Sequence, residues 1–86
     1  MLIKILEPDI QKAEAIEMDI VKAVIELGIV VDIEKVSKSD KIQKYNISQP
    51  PGIVVNEKVK ASGVIPTKEE LKKWIEEELK PAGALS

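Results

Sequence analysis

The chain contains no cysteine and no histidine, so any chemistry must come from carboxylates, lysines and a few hydroxyls. Glu14 and Glu17 stand about one helical turn apart and could share a hard cation or do acid–base work. A solvated helix face explains them more simply, and the same holds for Glu76-Glu77-Glu78 and for Lys72 and Lys73. Pro8-Asp9 precedes an apolar-periodic run, and a bare helix start is a ready anion site. Here Glu7 and Asp9 already bring negative charge to that point, and no glycine lets a phosphate approach. Without cysteine or histidine, most zinc, haem and iron–sulfur chemistry is removed, together with disulfides. No catalytic residue, metal site or cofactor is expected.

Function classes narrow further on composition. Net charge is -2 and all 13 basic residues are lysines. Nucleic acid is therefore not expected as a partner, because both a basic excess and the bidentate arginine fork are missing. Tyr45 and Trp74 are the only aromatic side chains, which leaves no platform for stacked bases. No apolar run approaches the ~18 residues of a membrane span, and Met1–Asp9 lacks the basic start of a signal peptide. A cytoplasmic protein with no membrane partner is the expectation. At 86 residues one domain over 1–80 is expected, with 81–86 as a flexible tail.

The elements that must position these residues follow from periodicity. Leu2, Ile3, Ile5 and Leu6 form a strand, and Pro8 and Asp9 suit the first turn of a helix. Ile10, Ala13, Ile16, Ile20, Val24 and Leu27 recur at helical steps, Val21 and Ile25 broaden the stripe, and Gly28 is the stop. Ile29–Val36 reads as a second strand, parallel to the first through a right-handed crossover. Ser37–Asp40 caps a short helix that turns Ile42 and Tyr45 inward, with Asn46 as its left-handed end. Gln49–Asn56 is a strand entered through two prolines. Asn56-Glu57 then turns into an antiparallel edge strand, Lys58–Ser62. Thr67-Lys-Glu-Glu70 is a capping box for a last helix that buries Leu71, Trp74, Ile75 and Leu79. The order β-α-β-α-β-β-α predicts an α/β fold, a mixed four-stranded sheet with helices on both faces.

That order resembles the small thioredoxin/glutaredoxin-like proteins of archaea and bacteria, and so do several local signatures. These are Ile-Lys-Ile-Leu at 3–6, Leu-Gly at 27–28, Ile-Glu-Lys-Val at 33–36, Lys-Tyr-Asn-Ile at 44–47, Pro-Gly-Ile-Val-Val-Asn at 51–56, Lys-Val-Lys-Ala-Ser-Gly at 58–63 and Lys-Glu-Glu-Leu at 68–71. The resemblance covers Ile3 to Leu79 and implies a thioredoxin-like fold. It sets Ile10 and Ala13 where the family carries its exposed and buried cysteines, and Pro51 where it carries a cis-proline. Thiol–disulfide exchange needs a thiolate to attack and a second thiol to release the mixed disulfide. Isoleucine and alanine can do neither. Pro50 is a second departure, since the family's residue at this point offers both backbone groups to a bound peptide and proline has no N–H.

The resemblance therefore implies a redox-inactive member that binds a protein partner around the lost pair, through Pro8, Ile10, Ala13, Pro50 and Pro51. Ile10 is the sharpest of these. It either projects as part of an apolar patch with Pro8, Pro50 and Pro51, or folds back over the helix start. Ala13 is more simply core, and Pro51 more simply architectural. The alternatives are an oxidoreductase family member whose activity is lost or was removed, a glutathione-type enzyme, and a homodimer formed through the apolar patch.

Overall fold

Alternation along β1 (Leu2–Leu6) sets the two faces of the sheet, and every other element packs according to it. The structure, a computed structural model, describes residues 1–79, and the tail expected at 81–86 lies outside them. Ile3 and Ile5 face one way and are fully buried with Ile53 and Val55 of β3 (Gly52–Val55). Against them lie α1 (Ile10–Leu27), through Ala13, Ile16, Ile20, Ala23 and Val24, and α3 (Lys68–Leu79), through Leu71 and Ile75. Leu6 and Val54 face the other way and meet Val36 of β2 (Asp32–Val36) and Ile42 of α2 (Ser39–Gln43), with Tyr45 and Ile47 at the rim. Each isoleucine so buried contributes about 1.5–3 kcal/mol.

The sheet order is β2-β1-β3-β4, with β4 spanning Lys58–Ser62. β1 pairs parallel with β2, Leu2 opposite Asp32, and antiparallel with β3, Ile3 opposite Val55. β4 pairs antiparallel with β3 and forms an edge, as alternation and lysine content suggest. Asn56 and Glu57 both take positive φ, 49° and 66°, the geometry of the two-residue turn that suits the strand twist. A bulge lies next to Ile53/Val54, and Lys60 is the residue left unmatched. Its ammonium reaches Glu77 at 3.1 Å and Glu78 at 2.8 Å, tying the edge strand to α3.

Helix ends lie close to their sequence signals, with two corrections. α1 begins at Ile10, so extended Asp9 is its cap and Pro8 precedes the helix instead of entering its first turn. α2 begins at Ser39 behind Lys38, with no side-chain cap. The Asp9 carboxylate caps α1 by accepting the Gln11 and Lys12 N–H groups. Gly28 closes the helix at φ 70°, donating to the Val24 and Ile25 carbonyls. The capping box of α3 is reciprocal: Glu70 N–H donates to Thr67 Oγ1 at 3.1 Å, and Thr67 N–H donates to Glu70 Oε1 at 3.0 Å.

Several expectations are corrected. β2 begins at Asp32 and β3 at Gly52, so neither Ile29–Val31 nor Gln49–Pro51 belongs to the ladder. Val21 and Ile25 lie exposed on the outer side of α1 and do not widen its buried stripe. The sheet and α3 cover only one side of α1, and the opposite side stays in water. Leu79, one turn past the buried Ile75, is likewise exposed, and Trp74 is half-buried against the core. Among the described residues no helix is long and apolar enough to cross a membrane.

Candidate functional site

The β1–α1 connection is Glu7-Pro8-Asp9, and its backbone is held from both sides. Glu7 N–H donates to the Val36 carbonyl at 3.0 Å, which carries the β1–β2 pairing one residue past the strand. This draws Glu7 inward, to 6% exposure, and it is the one buried charged side chain among the described residues. Its Oε2 accepts the Asp9 N–H at 2.9 Å. Asp9 Oδ1 accepts the N–H groups of Gln11 at 3.0 Å and Lys12 at 3.2 Å. Two carboxylates thus hold the N–H groups of Asp9, Gln11 and Lys12, most of the donors that a bare helix start would offer to an anion.

Ile10 opens α1 and is 64% exposed, whereas Ala13, one turn on, is 2% exposed. The two line one hollow of about 210 Å³ with Glu7, Lys35 and Ser37. Pro8 and Pro50 line a second, about 220 Å³, against Ile42, Ile47 and Gln49. Pro51 is buried and lines a third, about 80 Å³, with Glu7, Lys12, Ile16 and Ile65. The five residues expected at the site therefore surround the start of α1 but open onto three separate hollows. Glu7 borders two of them.

The far wall is equally determined. The Pro50–Pro51 bond is cis, and the Pro51 carbonyl accepts the Gly63 N–H at 2.9 Å. Gly63 takes φ 77°, and Gln49 lies so close that a Cβ there would sit 3.0 Å from its Cγ. Gly52 has no room either, because a Cβ would meet Ile47 Cδ1 at 2.9 Å and Leu6 Cδ1 at 3.1 Å. Backbone and core meet directly behind the proline pair. With the Pro51 carbonyl taken by Gly63, the proline pair presents the Pro50 carbonyl without a companion N–H.

Charges farther out are structural. Glu17, read with Glu14 as a carboxylate pair, bonds Lys35 at 2.9 Å, and that contact raises the Lys35 pKa above its ordinary value. Lys4, on the α2 face, bonds Glu57 at 2.8 Å and the Tyr45 hydroxyl at 2.7 Å, and both contacts raise its pKa. Glu26 grips Lys68 and Lys72 at the base of α3, and Glu78 meets Lys60 and Lys58, so both carboxylates are held below their ordinary value. Among the described residues no group of three or more carboxylates is placed to hold a metal ion.

Sequence reading missed two contributors. Glu7 looked like one more charge at a helix start, and its burial depends on Val36, which only the parallel pairing brings near. Ile65 lies exposed beside Pro51. The apolar Val64-Ile65 pair in the turn before the capping box was the signal that could have found it.

A family model described as "Thioredoxin domain" matches residues 1–76. A thioredoxin from Methanothermobacter thermautotrophicus is 33% identical over 73 residues, an overlap that covers 85% of this chain and 95% of that protein. With that match, the four-stranded mixed sheet and the helices on its two faces, the chain belongs to the thioredoxin-domain family, as a member without cysteine.

Proposed function

We propose that this thioredoxin-fold chain works by binding a protein partner at the surface around the start of α1. Dithiol exchange is closed to it by composition, since neither step can proceed without a thiol. The observation that carries the reading is the 64% exposure of Ile10 at the first helical position. An apolar side chain held out at a rigid helix end, with exposed Pro8 and Pro50 nearby, is a ready anchor for a partner's apolar pocket. The hollows themselves, of about 220, 210 and 80 Å³, fall below the roughly 300–1,000 Å³ usual for cofactor and small-ligand sites. That favours a partner pressed against the surface over a ligand enclosed within it.

The test is a pull-down from lysate of the source organism, with wild type and Ile10→Asp compared side by side. Thermal melts of both proteins control for folding. The reading expects a protein captured by wild type and absent from the variant, with melting temperatures within a few degrees. Equal capture by both proteins, or none by either, overturns it.

A further inference from the structure

Met18, Val21 and Ile25 are 58%, 37% and 71% exposed, three large apolar side chains on the side of α1 that faces away from the sheet. On a helix of 3.6 residues per turn they form one stripe at i, i+3 and i+7. Glu14 and Lys22 flank Met18 four residues to either side, both exposed, and neither belongs to an ion pair among the described residues. The two charges are self-complementary about Met18. A two-fold axis at Met18, perpendicular to the helix, would run a second α1 antiparallel to the first. Glu14 and Lys22 lie the same distance along the helix from Met18, one on each side. The axis therefore sets Glu14 of each copy level with Lys22 of the other.

We propose that the outer face of α1 docks against the same face of a second copy, with Met18 on the two-fold axis and Glu14 paired to Lys22 across it. Met18 meets its own image, and its flexible thioether suits such a self-contact. Val21 and Ile25 lie along the flanks of that centre. The two ion pairs form together, because a two-fold contact repeats every interaction. The seam from Gln11 to Ile25 is about 21 Å long at 1.5 Å per residue, which is short for a permanent dimer. The pair belongs with weak, transient interfaces, populated as concentration rises. Ile10, 64% exposed, stands at the outer end of the same side of α1, about two turns before Met18. A protein partner at the start of α1 and a second copy would therefore compete for neighbouring surface.

The test is sedimentation equilibrium of the full chain from about 10 µM to about 1 mM, the range that resolves weak dissociation constants. Wild type is expected to dimerise. Glu14→Lys and Lys22→Glu should each weaken the dimer by about tenfold, since each puts two like-charge pairs across the axis. The double swap, Glu14→Lys with Lys22→Glu, should bring back wild-type affinity. Circular dichroism should show all three variants folded, because both positions are exposed. A chain that stays monomeric at 1 mM overturns the proposal. So does a dimer indifferent to the single reversals, or one that the double swap fails to restore, for either places the contact elsewhere.

Discussion

The buried carboxylate of Glu7 accepts the backbone N–H of Asp9 at 2.9 Å, and Asp9 in turn caps α1. One side chain thus fixes the residue that fixes the helix. Asp9→Ala should cost about 1 kcal/mol, the usual loss for a helix cap. Glu7→Ala should cost about 1–3 kcal/mol, because it strips the acceptor from the Asp9 N–H and opens space in a buried position. Urea denaturation of the two variants and their double mutant checks this. Because the residues act in series, the double mutant should lose less than the two single losses combined.

Gly52→Ala should destabilise the protein by about 1–3 kcal/mol through overpacking. The added methyl would lie 2.9 Å from Ile47 Cδ1. Ile47→Val removes that atom, so the double variant should recover part of the loss. A thermodynamic cycle on the four proteins decides whether the clash is local.

The α3 capping box should be visible from either end. Thr67→Ala removes the acceptor of the Glu70 N–H and should cost about 1 kcal/mol. Glu70→Ala, which frees the Thr67 N–H, should cost no more than that. Thermal melts of both, with helix content followed at low temperature, test the order.

Stability against pH should show a plateau with two shoulders. Glu26 and Glu78 are held below their ordinary 4.5, first by Lys68 and Lys60 respectively. A lowered carboxylate pKa gives stability that is fully present above 4.5 and fades as acid carries the pH down through the folded value. Lys35, Lys60 and Lys72 are raised above 10.5 by Glu17, Glu78 and Glu26. Their contribution is complete below 10.5 and fades as the pH rises through the folded values. Denaturation midpoints from about pH 2 to 11 should therefore be flat in the middle. Glu78→Gln should flatten the acid shoulder, and salt should shrink both shoulders, because these pairs are solvent-screened.

Most of the architecture was legible in the residues. Gly28, Thr67 and Glu70 mark helix ends through hydrogen bonds that are local in sequence, so their types alone announce them. Asp9 was read as a charge inside the first turn, and only its extended backbone makes it the cap. Asn56-Glu57 announces its turn for the same reason. Ile25 and Val21 were misread because apolar residues at 10, 13, 16, 20, 21, 24, 25 and 27 occupy about half of the helix circumference, wider than the stripe the sheet covers. Periodicity then cannot say which flank the sheet covers. At the candidate site, Ile10, Ala13 and the proline pair were legible through the family likeness. Glu7's burial was not, since it depends on Val36, 29 positions away in sequence but adjacent across the parallel pairing.

The carboxylates at the start of α1 also bear on whether the lost chemistry can be put back. Ile10→Cys with Ala13→Cys would restore the family's spacing, with one thiol exposed and the other buried. A reactive thiol draws on free N–H donors and positive potential at the helix start, and here Glu7 and Asp9 hold the N–H groups of Asp9, Gln11 and Lys12 and bring negative charge. The exposed thiol of that double variant should keep a pKa near or above the free-thiol value of about 8.5, seen as slow alkylation by iodoacetamide at neutral pH. Adding Asp9→Asn should speed that alkylation. Two substitutions return the atoms of a redox pair; return of its reactivity requires the loop before it to change as well.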